Sequence, residues 1–227
     1  METERLNRIV RRAVVALAVA LPLLPLSVWA HSALPIYRSM WHGPMLLLYL
    51  PARMLGLVGF VMMFYQFVMA ARLPLIERAF TRAVIYRRHR TLGKIGFLLI
   101  LAHGTAMLGF DLIMAGELLL DRSKTFGVIA LALLTVAVAA AIFWKPLKLS
   151  NKQWMRIHRL AWVAFPLAFY HAVTIGTTIN TSTAVLGLFY AMGAIYLLLL
   201  ARRLKTTLRP RRRPDPRRRP ATIAADP

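Results

Sequence analysis

Four histidines fall in two apolar segments as two pairs, His89 with His103 and His158 with His171. The members of the pairs are 14 and 13 residues apart. At ~1.5 Å rise per residue, each pair spreads over roughly 20 Å of helix. An imidazole inside a lipid-embedded helix is costly and usually functional. Two such helices side by side would hold two stacked His–His sites, one near each membrane face. A planar cofactor with two axial positions fits that arrangement, and haem is the one it points to. A single metal ion fits less well, because ligands ~20 Å apart along their helices cannot all close on it.

The angular match of the two pairs differs. Fourteen residues turn through roughly 1400°, within about 40° of complete turns, so His89 and His103 share a face. Thirteen residues leave His158 and His171 about 140° apart on a straight helix. Pro166 lies between them and can kink or rewind a membrane helix.

The residues around the pairs suggest supporting roles. His89 sits in Arg88-His89-Arg90, and His158 in Arg156-Ile157-His158-Arg159. Arg87, Arg88, Arg90, Lys94, Arg156 and Arg159 are placed to neutralise anionic haem propionates. The plain alternative for the same charges is the basic bias of cytoplasmic membrane flanks. Phe97, Trp162, Phe165 and Phe169 lie at intermediate depth, either between cofactors or as ordinary bundle core. His31, Met40, His42 and Met45 offer imidazole and thioether ligands suited to copper or iron. No repeated spacing backs that cluster, and an interfacial loop explains it as well.

The elements that must position these residues are membrane helices. The 227 residues are 59% hydrophobic, and several apolar runs reach the ~20 residues needed to cross a bilayer. Six spans are expected, at 13–30, 47–70, 91–114, 126–144, 155–175 and 183–201. The fold class is therefore an all-α integral membrane protein, a six-helix bundle with its sites between the third and fifth helices. The layout is an N-terminal segment 1–12, the bundle 13–204 and a tail 205–227.

Charge sets the expected orientation. Arg5, Arg8, Arg11 and Arg12 precede the first span, and Arg72 to Arg90 contribute six arginines after the second. Lys145, Lys148 and Lys152 follow the fourth, and Arg202-Arg203 the sixth. The other connections are poor in basic residues, so both termini face the cytoplasm of a cell (inner or plasma) membrane. A cleavable signal peptide is the rival reading of the first span, with Val28-Trp29-Ala30 before His31 as its end. The tail from Arg209 alternates arginine and proline and should be disordered.

Composition removes other classes. With no cysteine there is no disulfide framework, thiolate metal site, cysteine-ligated iron–sulfur cluster or covalently attached haem. The net charge of +22 is confined to segment ends, loops and tail, which argues for a bilayer and against nucleic acid as partner.

Two stretches resemble a known family. Tyr86-Arg-Arg-His89-Arg-Thr-Leu-Gly93, running on to His103, is similar to the third helix of the ferric reductase-like transmembrane domain, shared by ferric reductases and NADPH oxidases. Trp154-Met-Arg-Ile-His158-Arg, running on to His171, resembles its fifth helix. Leu55–Arg78 looks like the segment before that third helix in bacterial members. The resemblance covers roughly residues 50–200. It implies two non-covalent b-type haems, with His89/His158 and His103/His171 as iron ligands and electrons moving from the cytoplasmic site to the outer one. Many family members continue into a flavin and nicotinamide module. Here no Gly-rich phosphate loop or βαβ pattern follows Leu204, so a separate cytoplasmic flavin-containing reductase is the expected donor. The expected acceptor is ferric iron, oxygen or a periplasmic protein. One variant resembles the membrane subunit that feeds a periplasmic methionine sulfoxide reductase.

Two other classes compete with a membrane oxidoreductase subunit. A transporter or channel moving protons or metal through the buried histidines would need discontinuous helices and acids at mid-membrane. A haem-free scaffold recruiting partners through its basic tail would leave the matched histidines unexplained.

Overall fold

A computed structural model of the protein describes residues 2–39 and 43–208, and among these it is helical with no strand. In chain order the helices are α1 (Glu2–Ser39), α2 (Leu50–Ala70), α3 (Pro74–Ala79), α4 (Arg82–Ala115), α5 (Arg122–Phe143), α6 (Asn151–His158), α7 (Ala161–Ile175), α8 (Thr177–Asn180) and α9 (Thr183–Leu208). A π-helical turn, Met45–Tyr49, leads into α2. Among the described residues five helices are long and apolar enough to cross a membrane: Glu4–Ser39, Met45–Ala70, Arg82–Ala115, Arg122–Phe143 and Thr183–Thr207. The Met40 and His42 of the suggested metal cluster, and the tail from Arg209, lie outside the described residues.

The span expected at 155–175 is two helices. α6 starts on a capping box, in which Ser150 and Gln153 each satisfy the other's backbone N–H. It stops at His158, and α7 supplies only 15 residues of apolar helix. The join is wound tightly: Leu160 donates to Ile157, Trp162 to Arg159 and Val163 to Leu160, all bonds to the third residue back. Such turns advance ~120° per residue where an α-helix advances ~100°. The extra winding recovers part of the 140° mismatch expected for a straight helix.

Packing falls into two helix pairs. α2 lies along α4, and α5 along α7. Small residues allow the first pair to approach closely. A Cβ on Gly59 of α2 would fall 2.7 Å from Ile100, and one on Gly96 of α4 would fall 2.9 Å from Met62. Across the pairs runs an aromatic core from α2, α7 and α9. Phe165 stacks on Tyr196 at 4.4 Å between centroids, Phe60 on Phe189 at 4.8 Å, and Phe67 meets Trp162 edge-on at 4.8 Å. Phe97 and Phe169 pack against this core rather than within it.

α1 is a long, sparsely buried helix tied to α2 at three points, one of them the Arg53 guanidinium donating to the Ser32 hydroxyl at 3.5 Å. The Trp29 indole donates to the Leu50 carbonyl at 2.9 Å, and the Tyr65 hydroxyl to the Ala18 carbonyl at 2.7 Å. Ala18 is four residues before Pro22, so its oxygen has no helical donor. Tyr65 supplies one from the neighbouring helix.

Candidate functional site: two facing imidazole pairs

The structure brings the four histidines together in two pairs. The rings of His89 and His158 have centroids 6.3 Å apart with planes at 78°, and those of His103 and His171 are 6.2 Å apart at 65°. The order is that of two helices running the same way, with the first histidine of each segment at the basic end. A metal–imidazole bond is ~2.0–2.1 Å and a ring nitrogen sits ~1.1 Å from its own centroid, so rings on opposite sides of one ion stand ~6.3 Å apart. Both pairs have that separation. Among the described residues no three His, Asp or Glu side chains gather into a metal cluster.

Three of the four imidazoles are held from behind by a main-chain carbonyl of α2 or α5. His103 Nδ1 lies 2.9 Å from the Ala52 carbonyl on α2. His171 Nδ1 lies 3.0 Å from the Ser123 carbonyl, and His158 Nδ1 3.1 Å from that of Ala137, both on α5. A carbonyl only accepts, so in these three rings Nδ1 carries the proton and Nε2 presents its lone pair. The Gln66 carbonyl on α2 is directed at His89. Ala52 and Gln66 are 14 residues apart, as are Ser123 and Ala137. On α2 that spacing equals the offset of His89 and His103, and on α5 it exceeds the 13-residue offset of His158 and His171 by one.

Glycine makes room for the rings at one level. A Cβ on Gly56 would stand 2.8 Å from His103 Nδ1, and one on Gly127 2.6 Å from His171 Nδ1. Gly56 and Gly127 each lie one helical turn beyond the carbonyl that orients the same ring. Only a bare backbone leaves that ring its place.

Between His103 and His171 opens a cavity of about 420 Å³, within the ~300–1,000 Å³ range of small-molecule sites. Phe60, Phe189 and Leu131 contribute to its apolar wall, and Arg53, Asp111 and Lys124 stand in its polar part. Asp111 is buried and takes both bonds of the Lys124 ammonium, at 2.9 and 2.7 Å. That pair is electrically closed. Arg53 donates to Thr178 at 2.7 Å, while its buried Nε has no partner among the described residues. The cavity therefore holds one guanidinium uncompensated by any described carboxylate, suited to an anionic group.

At the basic end Arg88, Arg90 and Arg159 are exposed. Arg90 lies over the Tyr86 ring at 5.8 Å. None of the three closes an ion pair among the described residues, where the pairs are Arg82–Glu77 and Lys124–Asp111. Trp154 flanks His158 with ring centroids 6.1 Å apart.

Sequence reasoning missed Arg53, the two ring-supporting glycines and the carbonyl acceptors. Arg53 did carry a signal, since a cation inside an apolar span is a functional marker in its own right. The carbonyls carry none.

A model of the family described as Ferric reductase like transmembrane component matches residues 55–169, half of the chain. The match takes in His89, His103 and His158 and ends two residues before His171. Searches of curated proteins and of solved structures returned no match.

Proposed function

From the premise that the chain belongs to the ferric reductase-like transmembrane family and is a multi-pass membrane protein, we propose that it is a haem b electron-transfer subunit. On this reading it passes electrons from a cytoplasmic flavoprotein donor to an acceptor on the outer side. The observation that carries the reading is the pairing itself, two sets of facing imidazoles each at the separation of axial ligands. His89 with His158, and His103 with His171, would hold the two haems non-covalently. Haem held by these four histidines would supply one-electron transfer chemistry.

The remaining work belongs to the chain. Backbone carbonyls hold the Nδ1 protons of His103, His158 and His171, leaving their Nε2 lone pairs free to serve as ligands. Phe60, Phe189 and Leu131 line the outer cavity with apolar surface and exclude water from it. Arg53 faces the anionic edge of whatever fills that cavity, and Arg88, Arg90 and Arg159 serve the same end at the basic face. The donor would approach the basic face, where His89 and His158 lie nearest the arginines.

A dithionite-reduced minus oxidised spectrum of the detergent-purified full chain, with haem counted per chain, tests this. Sharp b-type bands and two haems are expected, with one lost in His103→Ala or His171→Ala. A chain that takes up no haem on reconstitution overturns the reading.

A further inference from the structure

Two buried side-chain atoms have no hydrogen-bond partner among the described residues, Arg53 Nε and Gln66 Oε1. The first belongs to the outer cavity. The second lies on α2 against Gly93, one turn from His89. Gln66 lies on α2 within an apolar span. Its Nε2 donates to the Met62 carbonyl at 3.1 Å, which leaves Oε1 directed at α4. There it rests against bare backbone: a Cβ on Gly93 would stand 3.2 Å from it. Gly93 is one turn beyond His89 on the same helix.

His89 is also the odd member of its set. The other three imidazoles each close a hydrogen bond to a carbonyl behind them. His89 faces the Gln66 carbonyl without a hydrogen bond of ordinary geometry among the described residues. An acceptor lacking a donor and an imidazole held only loosely by the main-chain carbonyl behind it thus belong to one pair of neighbouring residues. A buried unpaired amide oxygen costs free energy, and in an apolar span water is poorly placed to relieve it.

We propose that Gln66 is the positioning residue for His89, its side-chain Oε1 accepting the imidazole Nδ1–H in the haem-loaded protein. The amide already lies against Gly93, one turn from His89 on α4. That hydrogen bond makes His89 the one ring held by a side chain, where the other three are held by main chain alone. The proposal rests on the haem reading above. Its consequence is electronic. A stronger acceptor behind Nδ1 makes the ligand more basic and favours the oxidised iron, and a missing acceptor does the reverse.

The test is a spectroscopic redox titration of the haem-loaded full-length protein, alongside Gln66→Glu and Gln66→Met. Glu strengthens the acceptor, and Met keeps the volume while removing it. One of the two midpoint potentials should fall in Gln66→Glu and rise in Gln66→Met. The second potential and the haem count should match wild type. If Gln66 only joins α2 to α4, Gln66→Met lowers thermal stability and leaves both potentials in place, which overturns the proposal. Equal movement of both potentials overturns it too. Should Gln66→Glu fail to fold, Gln66→Met decides alone. Absence of haem from wild type would sink the parent reading, and two haems with unmoved potentials sink this one only.

Discussion

The hydroxyl of Tyr196 donates to the carbonyl of Trp162, the oxygen that Pro166 leaves without a helical donor. Tyr65 does the same for Ala18, orphaned by Pro22. In both cases a proline inside a membrane helix is tolerated because a tyrosine from another helix completes the backbone. The Tyr196 bond matters more for the site. Trp162 lies one turn after His158, at the tight join that brings His158 and His171 into register.

Removing that hydroxyl should therefore cost stability in a recoverable way. Tyr196→Phe leaves a buried carbonyl unpaired, at about 1–3 kcal/mol. Pro166→Ala restores an N–H four residues after Trp162, so the double variant should lose less than Tyr196→Phe alone. Denaturant or thermal unfolding in one detergent measures the cycle. Strict additivity would mean that the Trp162 oxygen is not the shared group.

On the haem reading, Gly127→Ala should remove the haem of the His103–His171 pair and spare the other. The added Cβ would stand 2.6 Å from His171 Nδ1, and the backbone of α5 cannot retreat as a side-chain tip could. Gly56→Ala should act alike through His103, where the distance is 2.8 Å. Gly187→Ala is the control, since a Cβ there meets nothing within 4 Å. Haem per chain reads the result: one fewer for the first two, no change for the third.

Asp111 and Lys124 form the described ion pair deepest in the chain, with side chains 9% and 28% exposed. Asp111→Leu strands an ammonium in the cavity between His103 and His171. Breaking a buried pair typically costs ~3–5 kcal/mol, and the exposure of Lys124 places this case at or below the low end. Asp111→Leu with Lys124→Met should recover most of that loss. Unfolding of the three variants measures the coupling. An equally damaged double variant would point to a role beyond charge balance.

Much of this site could be read from the chain, and what could not has physical reasons. The 14-residue offset of His89 and His103 is visible because a helix repeats its face on that spacing. The 13-residue offset of His158 and His171 looked poor only for a straight helix. The split into α6 and α7, which recovers part of the mismatch, depends on three tight backbone bonds that no side chain at 159 or 160 announces. The acceptors at Ala52, Ser123 and Ala137 are main-chain atoms, common to every residue type. Gly56 and Gly127 look like ordinary packing glycines until the rings beside them are placed. Arg53 and Gln66 were legible, as polar residues within an apolar span.

Arg53 gives the sharpest division between charge and packing. Its guanidinium reaches Thr178, lies 5.6 Å from the centre of the Tyr49 ring and keeps a buried Nε free of any described partner. If an anionic edge of the outer haem completes it, Arg53→Lys keeps the charge but loses the planar fork, and Arg53→Met loses both. Haem retention under dilution should then fall in the order wild type, Arg53→Lys, Arg53→Met, with the loss confined to the outer pair. A purely structural arginine, anchored on Thr178 and Tyr49, would instead give two variants of reduced unfolding temperature with haem retained at both pairs. Measuring haem per chain and unfolding temperature on the same samples separates the two outcomes.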